Sequence, residues 1–176
     1  MKQLYFGKRF WLLLIVSFFG TGLISKKMPG TIGSLFAMLI VIVLPRSPRL
    51  LFLISSILFI VGVLACDLYI TKFKYESCKD PAYIVIDEAC GIFFGCAVIY
   101  CFWLQSILAV FINFLLFRLF DILKPFPIKT IEDSLKRNSK TVGFGIMIDD
   151  ILAAIFASAL QIIGGVLYGE NKIIKR

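Results

Sequence analysis

Two pairs of adjacent carboxylates border apolar segments of this sequence. Asp87-Glu88 stands at the start of one apolar run, and Asp149-Asp150 comes directly before another, residues 151–156. Adjacent carboxylates are costly to remove from water unless a cation or hydrogen-bond donors compensate them. Each pair taken alone indicates either a site for a hard cation or ordinary acids at a helix N-terminus, where the macrodipole favours negative charge.

Asp121 is a fifth acid within about a turn of an apolar helix end. If all five carboxylates converge, their mutual repulsion in a low dielectric disfavours the charged forms. A Mg²⁺ ion relieves such repulsion, because it takes oxygen ligands from carboxylates, water and substrate phosphate. For the five acids together we therefore favour a magnesium site over separate helix-terminal acids.

Arg118, Asp121 and Lys124 are spaced three residues apart, so they share one face of a helix that Pro125 and Pro127 end. One interpretation is a phosphate clamp, in which Arg118 binds two oxygens and Lys124 acts as a point charge. The other is an intrahelical salt bridge whose basic side chains extend to the membrane interface. Spacing alone leaves both open.

Two glycine-containing segments precede apolar helices. Residues 28–34, Met-Pro-Gly-Thr-Ile-Gly-Ser, could present backbone N–H groups and the Thr31 hydroxyl to a phosphate. From the residues alone we prefer plain N-capping by Thr31 or Ser34. Gly143 and Gly145 could bring backbone close to a ligand in front of the second acidic pair, which is a weaker pattern.

Composition identifies the environment of these residues. The chain has 176 residues, 60% of them hydrophobic, and a mean hydropathy of +0.94, which predicts a membrane-embedded protein with one domain over residues 1–176. The net charge of +8 suits contact with anionic lipid headgroups. The sequence has no basic surface pattern with interleaved aromatic residues, so nucleic-acid binding is not indicated. Histidine is absent, which excludes histidine-based catalysis. The five cysteines are predicted to be small buried hydrophobes.

Apolar runs without strand-like alternation predict helices throughout. Residues 35–66 read as a helical hairpin around the turn at residues 45–49, and a last apolar helix is expected from Ile151 to about Tyr168. Residues 10–20 are too short to span a bilayer, which needs about 20 residues, and predict an interfacial or core helix.

The long apolar stretch of residues 84–117 carries charges at both ends. A straight helix of about thirty residues would hold those charges roughly 45 Å apart, on opposite membrane faces. If both ends serve one site, the stretch folds back. We expect the bend at residues 103–106, Trp-Leu-Gln-Ser, the least apolar point.

Four segments of the sequence resemble the phosphatidylglycerophosphatase A family. They are GTGLISKKMPGTIGSL at residues 20–35, DPAYIVIDEACG at 80–91, FRLFDILKPFPI at 117–128 and GFGIMIDDILA at 143–153, in the family's order. The resemblance implies an all-α, Mg²⁺-dependent lipid phosphatase of the bacterial inner membrane that converts phosphatidylglycerophosphate to phosphatidylglycerol and phosphate. Its substrate would be an anionic phospholipid.

The resemblance also implies roles for individual residues. The predicted catalytic residues are Asp87, Glu88, Asp121, Asp149 and Asp150. Asp80 joins these five as a predicted metal ligand, and the predicted substrate-binding residues are Thr31, Arg118 and Lys124.

Two other classes of membrane protein were considered. A CDP-alcohol transferase needs an extended Asp-x-x-Asp-Gly-x-x-Ala-Arg pattern, which this sequence lacks. A small transporter or structural protein would account for the hydrophobicity, but not for acids at helix ends beside basic loops. Short loops rich in Lys and Arg tend to stay cytoplasmic, so the active site is expected on that side.

Overall fold

The computed structural model describes residues 2–73, 81–102, 104–126, 130 and 142–174, and within these ranges the protein is all-helical, as predicted, with no strand. A short 3₁₀ turn, Thr21–Leu23, joins the first two helices. The described ranges contain the helices α1 Lys2–Val16, α2 Pro29–Val43, α3 Pro48–Phe73, α4 Ile86–Cys101, α5 Ile107–Leu123 and α6 Val142–Ile174.

Two of the helices are long and apolar enough to cross a membrane. The segments Pro48–Ile70 in α3 and Val142–Leu167 in α6 have mean hydropathies of 2.5 and 2.0. Large apolar side chains along both helices, such as Ile57, Ile60 and Ile163, are exposed. An apolar surface of this kind faces lipid rather than water, so the fold is consistent with the predicted membrane-embedded helical bundle.

The α4 helix is the centre of the bundle and packs against α2, α3, α5 and α6. Two glycines permit this close packing. A Cβ atom at Gly91 would lie 2.6 Å from the Phe117 ring, and one at Gly95 would lie 2.6 Å from Asn113 Oδ1. Without Cβ atoms at these positions α5 and α6 approach the α4 backbone closely, and two small residues four positions apart favour such packing.

The predicted fold-back of residues 84–117 is confirmed. The α4 helix ends at Cys101, and α5 begins at Ile107 after Ser106, whose Oγ accepts a hydrogen bond from Ala109 N at 3.0 Å. This N-cap starts α5 in the antiparallel direction. The start of α4 and the end of α5 therefore lie at the same end of the bundle.

The other connections agree with the sequence in part. The α2–α3 hairpin is confirmed, but its turn spans residues 44–47 and not the predicted 45–49, because Pro48 already begins α3. Cys66, Cys90 and Cys96 are buried, whereas Cys101, in the last turn of α4, is exposed, against the prediction of buried cysteines. Cys78 lies outside the described residues.

A strained turn ends α1. Phe18, Phe19 and Gly20 have φ values of 44°, 59° and 86°, a conformation that bulky side chains rarely adopt. Val16, the last residue of α1, accepts a hydrogen bond from Val85 N at 2.9 Å, so the turn is anchored directly in front of α4.

The last helix begins earlier than predicted. We expected it to start at Ile151, with Asp149-Asp150 at its mouth, but α6 starts at Val142 and both acids lie two turns inside it. The physical reason is a cap from another helix. Asp67 Oδ1 of α3 accepts a hydrogen bond from Gly143 N at 2.7 Å, at the first turn of α6.

Candidate active site

A cavity of about 430 Å³ opens at one end of the bundle. The N-terminal ends of α2 and α4, the C-terminal end of α5 and the third turn of α6 meet there. Of the nine predicted site residues the cavity gathers eight, and the ninth, Asp80, lies outside the described residues. The eight are Thr31, Asp87, Glu88, Arg118, Asp121, Lys124, Asp149 and Asp150.

Three of the acids form a compact group. Asp87, Glu88 and Asp150 each offer a carboxylate oxygen, and these oxygens lie within 4.8 Å of one another. In each residue one buried oxygen, Asp87 Oδ1, Glu88 Oε2 or Asp150 Oδ2, has no hydrogen-bond partner. Leaving a buried polar atom unpaired costs about 1–3 kcal/mol, and more when it is charged. The arrangement fits a hard cation with oxygen ligands.

Burial changes the acidity of the two α4 residues. Desolvation by burial, reinforced by the adjacent Glu88 carboxylate, raises the pKa of Asp87 well above its ordinary value. Desolvation also raises the pKa of Glu88, to about 8, with a smaller contribution from Asp150. Both shifts have the same main cause, which is the removal of the carboxyl groups from water.

Arg118 connects the acids to α2. Its Nη1 lies 2.6 Å from Asp121 Oδ2 and 3.9 Å from Glu88 Oε1, and its Nη2 donates to Thr31 Oγ1 at 3.5 Å. The intrahelical salt bridge of the second interpretation is therefore present. The side chain nevertheless lines the cavity instead of extending to the interface, and its buried Nε has no partner. That N–H is a donor available to an anion.

Lys124 pairs with the acid next to the group of three. It is the C-cap of α5, with φ at 41°, and its Nζ lies 2.7 Å from Asp149 Oδ2. The five predicted acids are thus of two kinds. Asp121 and Asp149 are each held by a basic side chain at hydrogen-bond distance, whereas the other three have buried oxygens without a partner.

The preferred N-cap prediction for residues 28–34 is wrong. Met28 is the N-cap of α2 and makes no side-chain cap, with Pro29 in the first helical turn. Ser34 Oγ instead donates to the carbonyl of Gly30, and Thr31 is the acceptor for Arg118. Proline at the first helical position carries a fixed φ and lacks an N–H, which explains why the helix begins before Thr31.

The start of α2 forms part of the cavity wall, next to Glu88 and Arg118. The first helical bond runs from Ile32 N to the Met28 carbonyl, so the N–H groups of Gly30 and Thr31 precede the helical ladder. Both residues line the cavity. A Cβ atom at Gly30 would overlap Glu88 Oε1 and would lie 3.3 Å from Arg118 Nη2. Only glycine allows α2 to approach this closely, and its N-terminus suits an anion.

Sequence reasoning missed the residues that position α6. Asp67 lies inside α3, which continues to Phe73. Gly143 was considered a ligand-approach residue. It packs on α3 instead, where its Cβ would meet the Val63 carbonyl and would lie 2.8 Å from Asp67 Oδ1. One acid inside an otherwise apolar run was the available signal for this contact.

The chain is similar to proteins of known families. The family model described as Phosphatidylglycerophosphatase A matches residues 14–164. A phosphatidylglycerophosphatase A of Haemophilus influenzae is 39% identical over 79% of this chain and 79% of its own length. One of Escherichia coli is 33% identical over 85% of this chain and 80% of its own length.

A third relative has a different name. A Bacteroides thetaiotaomicron protein, provisionally named phosphatidylinositol-3-phosphatase, is 33% identical over 84% of this chain and 89% of its own length. No solved structure matches the chain at a significant level.

Proposed function

The chain belongs to the phosphatidylglycerophosphatase A family, a family of phosphatases, and we propose that it hydrolyses the terminal phosphomonoester of phosphatidylglycerophosphate in a Mg²⁺-dependent reaction. The products are phosphatidylglycerol and inorganic phosphate. The whole chain, residues 1–176, acts as one catalytic domain. Family membership favours this enzyme over the alternative of a transporter or structural protein.

One observation carries the proposal. The partnerless oxygens of Asp87, Glu88 and Asp150 share a cavity with Arg118, whose Nε is also without a partner. A cation satisfies the first set and an anion satisfies the second. A phosphate with its metal ion supplies both at once, which explains why the cavity holds unpaired groups of opposite charge.

Asp87, Glu88 and Asp150 would hold the metal ion, since their oxygens are close together and lack other partners. Asp80 stays a proposed ligand from the sequence. When bound, Mg²⁺ supplies positive charge that neutralises the phosphoryl oxygens. Asp121 and Asp149 are assigned a different role, because Arg118 and Lys124 already hold them.

The chain's own groups orient the phosphate. Arg118 donates from Nη2 and Nε to phosphoryl oxygens, and the N-terminal N–H groups of α2 at Gly30 and Thr31 face the same charge. Lys124 fixes the Asp149 carboxylate at the cavity. We assign Asp149 as the group that accepts a proton from the attacking water, because it lines the cavity outside the group of three.

The substrate is a lipid in this proposal because the cavity lies at the ends of apolar helices. A diacyl lipid can then present its terminal phosphate at headgroup depth without leaving the bilayer. Hydrolysis is expected at the monoester and not at the internal diester, since only a monoester leaves a phosphoryl group free to contact the metal ion, Arg118 and Lys124 together.

The test compares phosphate release from three substrates in mixed micelles, with Mg²⁺ and with chelator. Phosphatidylglycerophosphate should be hydrolysed with much the highest kcat/KM. Phosphatidylinositol 3-phosphate also carries a headgroup monoester and measures the selectivity of the cavity, and soluble glycerol 3-phosphate is the control without acyl chains. Equal rates on the lipids and the soluble control would contradict a lipid-specific site, and full activity in chelator would contradict the metal.

We also propose that the protein lies in the bacterial inner membrane with the cavity towards the cytoplasm. Lys27 lines the cavity before α2, and Arg46 follows α2 at its other end. A cysteine introduced at Lys27, in a background with the native cysteines replaced, should react with an impermeant maleimide only after permeabilisation. A cysteine at Arg46 is the matched control. Labelling of the Lys27 position in intact cells would reverse the orientation.

A further inference from the structure

A second cavity, of about 260 Å³, lies between α1 and α3. Its walls are hydrophobic throughout. Trp11 and Leu14 of α1 and Phe18 of the following turn form one side, and Leu58 and Val61 of α3 form the other. The volume is several times the ~30 Å³ that a water molecule occupies in the liquid, so the groove has room for a segment of hydrocarbon chain.

Only a short piece of backbone separates this groove from the active-site cavity. Ile84 lines the cavity with the acids, whereas Ile86 lines the groove. Between them Val85 is fully buried and donates its N–H to the Val16 carbonyl at the end of α1. Asp87, the first of the three acids, directly follows Ile86. Of the four residues from Ile84 to Asp87, the first and the last therefore line the cavity with the acids, and Ile86 lines the groove.

The strained turn after α1 shapes the groove. Its positive φ values allow Phe18 to be buried while Phe19, 76% exposed, extends from the surface beside it. Both rings line the groove. Strained backbone of this kind clusters at active sites and at segments that hold ligands.

We propose that this groove binds one acyl chain of the phospholipid whose terminal phosphate occupies the active-site cavity, which rests on the proposed function. Leu58 and Val61 belong to the membrane-capable segment Pro48–Ile70, so the groove lies where acyl chains are present. A peptide segment would bring backbone N–H and C=O groups that the hydrophobic walls leave unsatisfied, and a hydrocarbon chain brings none.

The groove orients the bound lipid more than it increases the affinity of the protein for that lipid. An acyl chain in a bilayer is already out of water, so its transfer into the groove releases little hydrophobic free energy. Held beside Ile86, however, the chain fixes the lipid relative to the acids. The headgroup has an internal phosphodiester and a glycerol before its terminal phosphate. It extends from the groove past the backbone of residues 84–86 into the cavity. Orientation of this kind changes the rate on the lipid and leaves the rate on the bare headgroup unchanged.

Photolabelling tests whether an acyl chain occupies the groove, and it does not require catalytic turnover. The full chain is placed in nanodiscs of phosphatidylglycerol and phosphatidylethanolamine that contain an anionic phospholipid with a diazirine in one acyl chain. After irradiation, the label should concentrate on the peptide that contains Trp11 and Leu14, above the level on the exposed α6 face around Leu160 and Ile163. Equal labelling of the two regions overturns the proposal, since ordinary lipid contact then explains both.

Two variants fill the groove and a third is the matched control. Leu14→Trp and Val61→Trp add bulk from its two walls, whereas Ile163→Trp adds the same bulk on an exposed part of α6, where Ile163 is 56% exposed. Each groove variant should lower kcat/KM on phosphatidylglycerophosphate by about tenfold, because the chain no longer orients the headgroup. Rates on deacylated glycerophosphoglycerol phosphate should not change, and the control should match the parent protein.

The outcomes separate this proposal from the proposed function. If the parent protein labels at the groove but releases no phosphate from the lipid, the acyl site stands and the proposed function fails. If the lipid is hydrolysed normally by both groove variants, the acyl site is overturned and the proposed function stands. An equal fall on the lipid and on its deacylated headgroup also overturns it. With two variants on different helices, the loss of one through misfolding leaves the comparison intact.

Discussion

Two polar clusters among the described residues of the bundle differ in how well their atoms are paired. In the middle of the bundle, Asn113 Nδ2 donates to Gln161 Oε1 at 3.0 Å, and Gln161 Nε2 donates to the Ala109 carbonyl at 2.8 Å. At the cavity end, Asp87, Glu88 and Asp150 each leave one buried oxygen without a partner.

The difference separates a structural cluster from a binding site. The Asn113–Gln161 pair joins α5 to α6 within apolar surroundings, and each amide group has its partner inside the protein. Such a pair stabilises one arrangement of the helices and needs no ligand. The three acids are incomplete without a ligand, because nothing among the described residues neutralises them fully. Buried polar groups that are paired within the protein stabilise the fold, whereas the unpaired oxygens are the observation behind the proposed metal site.

The largest expected effect follows from removing one of the incomplete acids. Asp87→Asn keeps the size of the side chain but removes a charge that the metal ion requires, so kcat should fall by about 10³-fold. The free energy of unfolding measured in chelator should not decrease, since repulsion from Glu88 is relieved. Phosphate release measures kcat, and thermal unfolding in detergent measures the stability. Unchanged turnover in this variant would end the carboxylate–metal assignment.

The next effect concerns the anion half of the cavity. Arg118→Lys preserves the charge but loses the planar fork and the Nε donor, so kcat/KM on the lipid should fall about 10²-fold. Arg46→Lys, in the turn at the other end of α2, is the matched control and should retain full activity. A fall of the same size in both variants would mean that general charge, and not the fork at the cavity, supports the reaction.

Ligand binding should stabilise the incomplete cluster only. Mg²⁺ at 100 times its dissociation constant should raise the free energy of unfolding by about 2.7 kcal/mol. The rise should disappear in Asp87→Asn and persist in Gln161→Leu. Thermal unfolding across a Mg²⁺ titration measures it. An equal rise in the parent and Asp87→Asn proteins would place the ion elsewhere.

The smallest expected effect lies in the satisfied cluster. Gln161→Leu leaves Asn113 without its acceptor and should cost about 1–3 kcal/mol of stability. The double variant Asn113→Leu with Gln161→Leu removes both partners and should be closer to the parent protein. Activity per folded molecule should be unchanged in both. A loss of turnover in the double variant at full stability would show that this cluster has a catalytic role.

Sequence patterns that are local predicted much of this molecule. Charged residues at both ends of residues 84–117 predicted a fold-back if both ends serve one site, and Ser106 caps the helix after it. Asp87 and Glu88 occupy the first turn of α4, as their position before an apolar run indicated. Gly91 and Gly95 are four residues apart, a spacing that favours close helix packing. Each inference depended on residues only a few positions apart, where spacing determines geometry.

Contacts between distant residues were not predictable in the same way. The start of α6 depends on Asp67, which is 76 residues before Gly143. The division of the acids depends on Lys124 reaching Asp149, 25 residues away, from a left-handed C-cap position. No periodicity encodes such pairings. The N-cap error was different, since Pro29 was a readable sign that the helix begins before Thr31.

The division of the three acids between α4 and α6 affects how the chain is made. About 60 residues separate Glu88 in α4 from Asp150 in α6. At a synthesis rate of ~5–20 residues per second, Asp150 is therefore made roughly 3 to 12 seconds after Glu88. A nascent chain inserted only as far as α5 therefore holds two of the carboxylates and not the third. Repulsion among all three begins when α6 docks. Free divalent cation should then accelerate this last step of biogenesis, and its depletion should leave α6 exposed to membrane proteases.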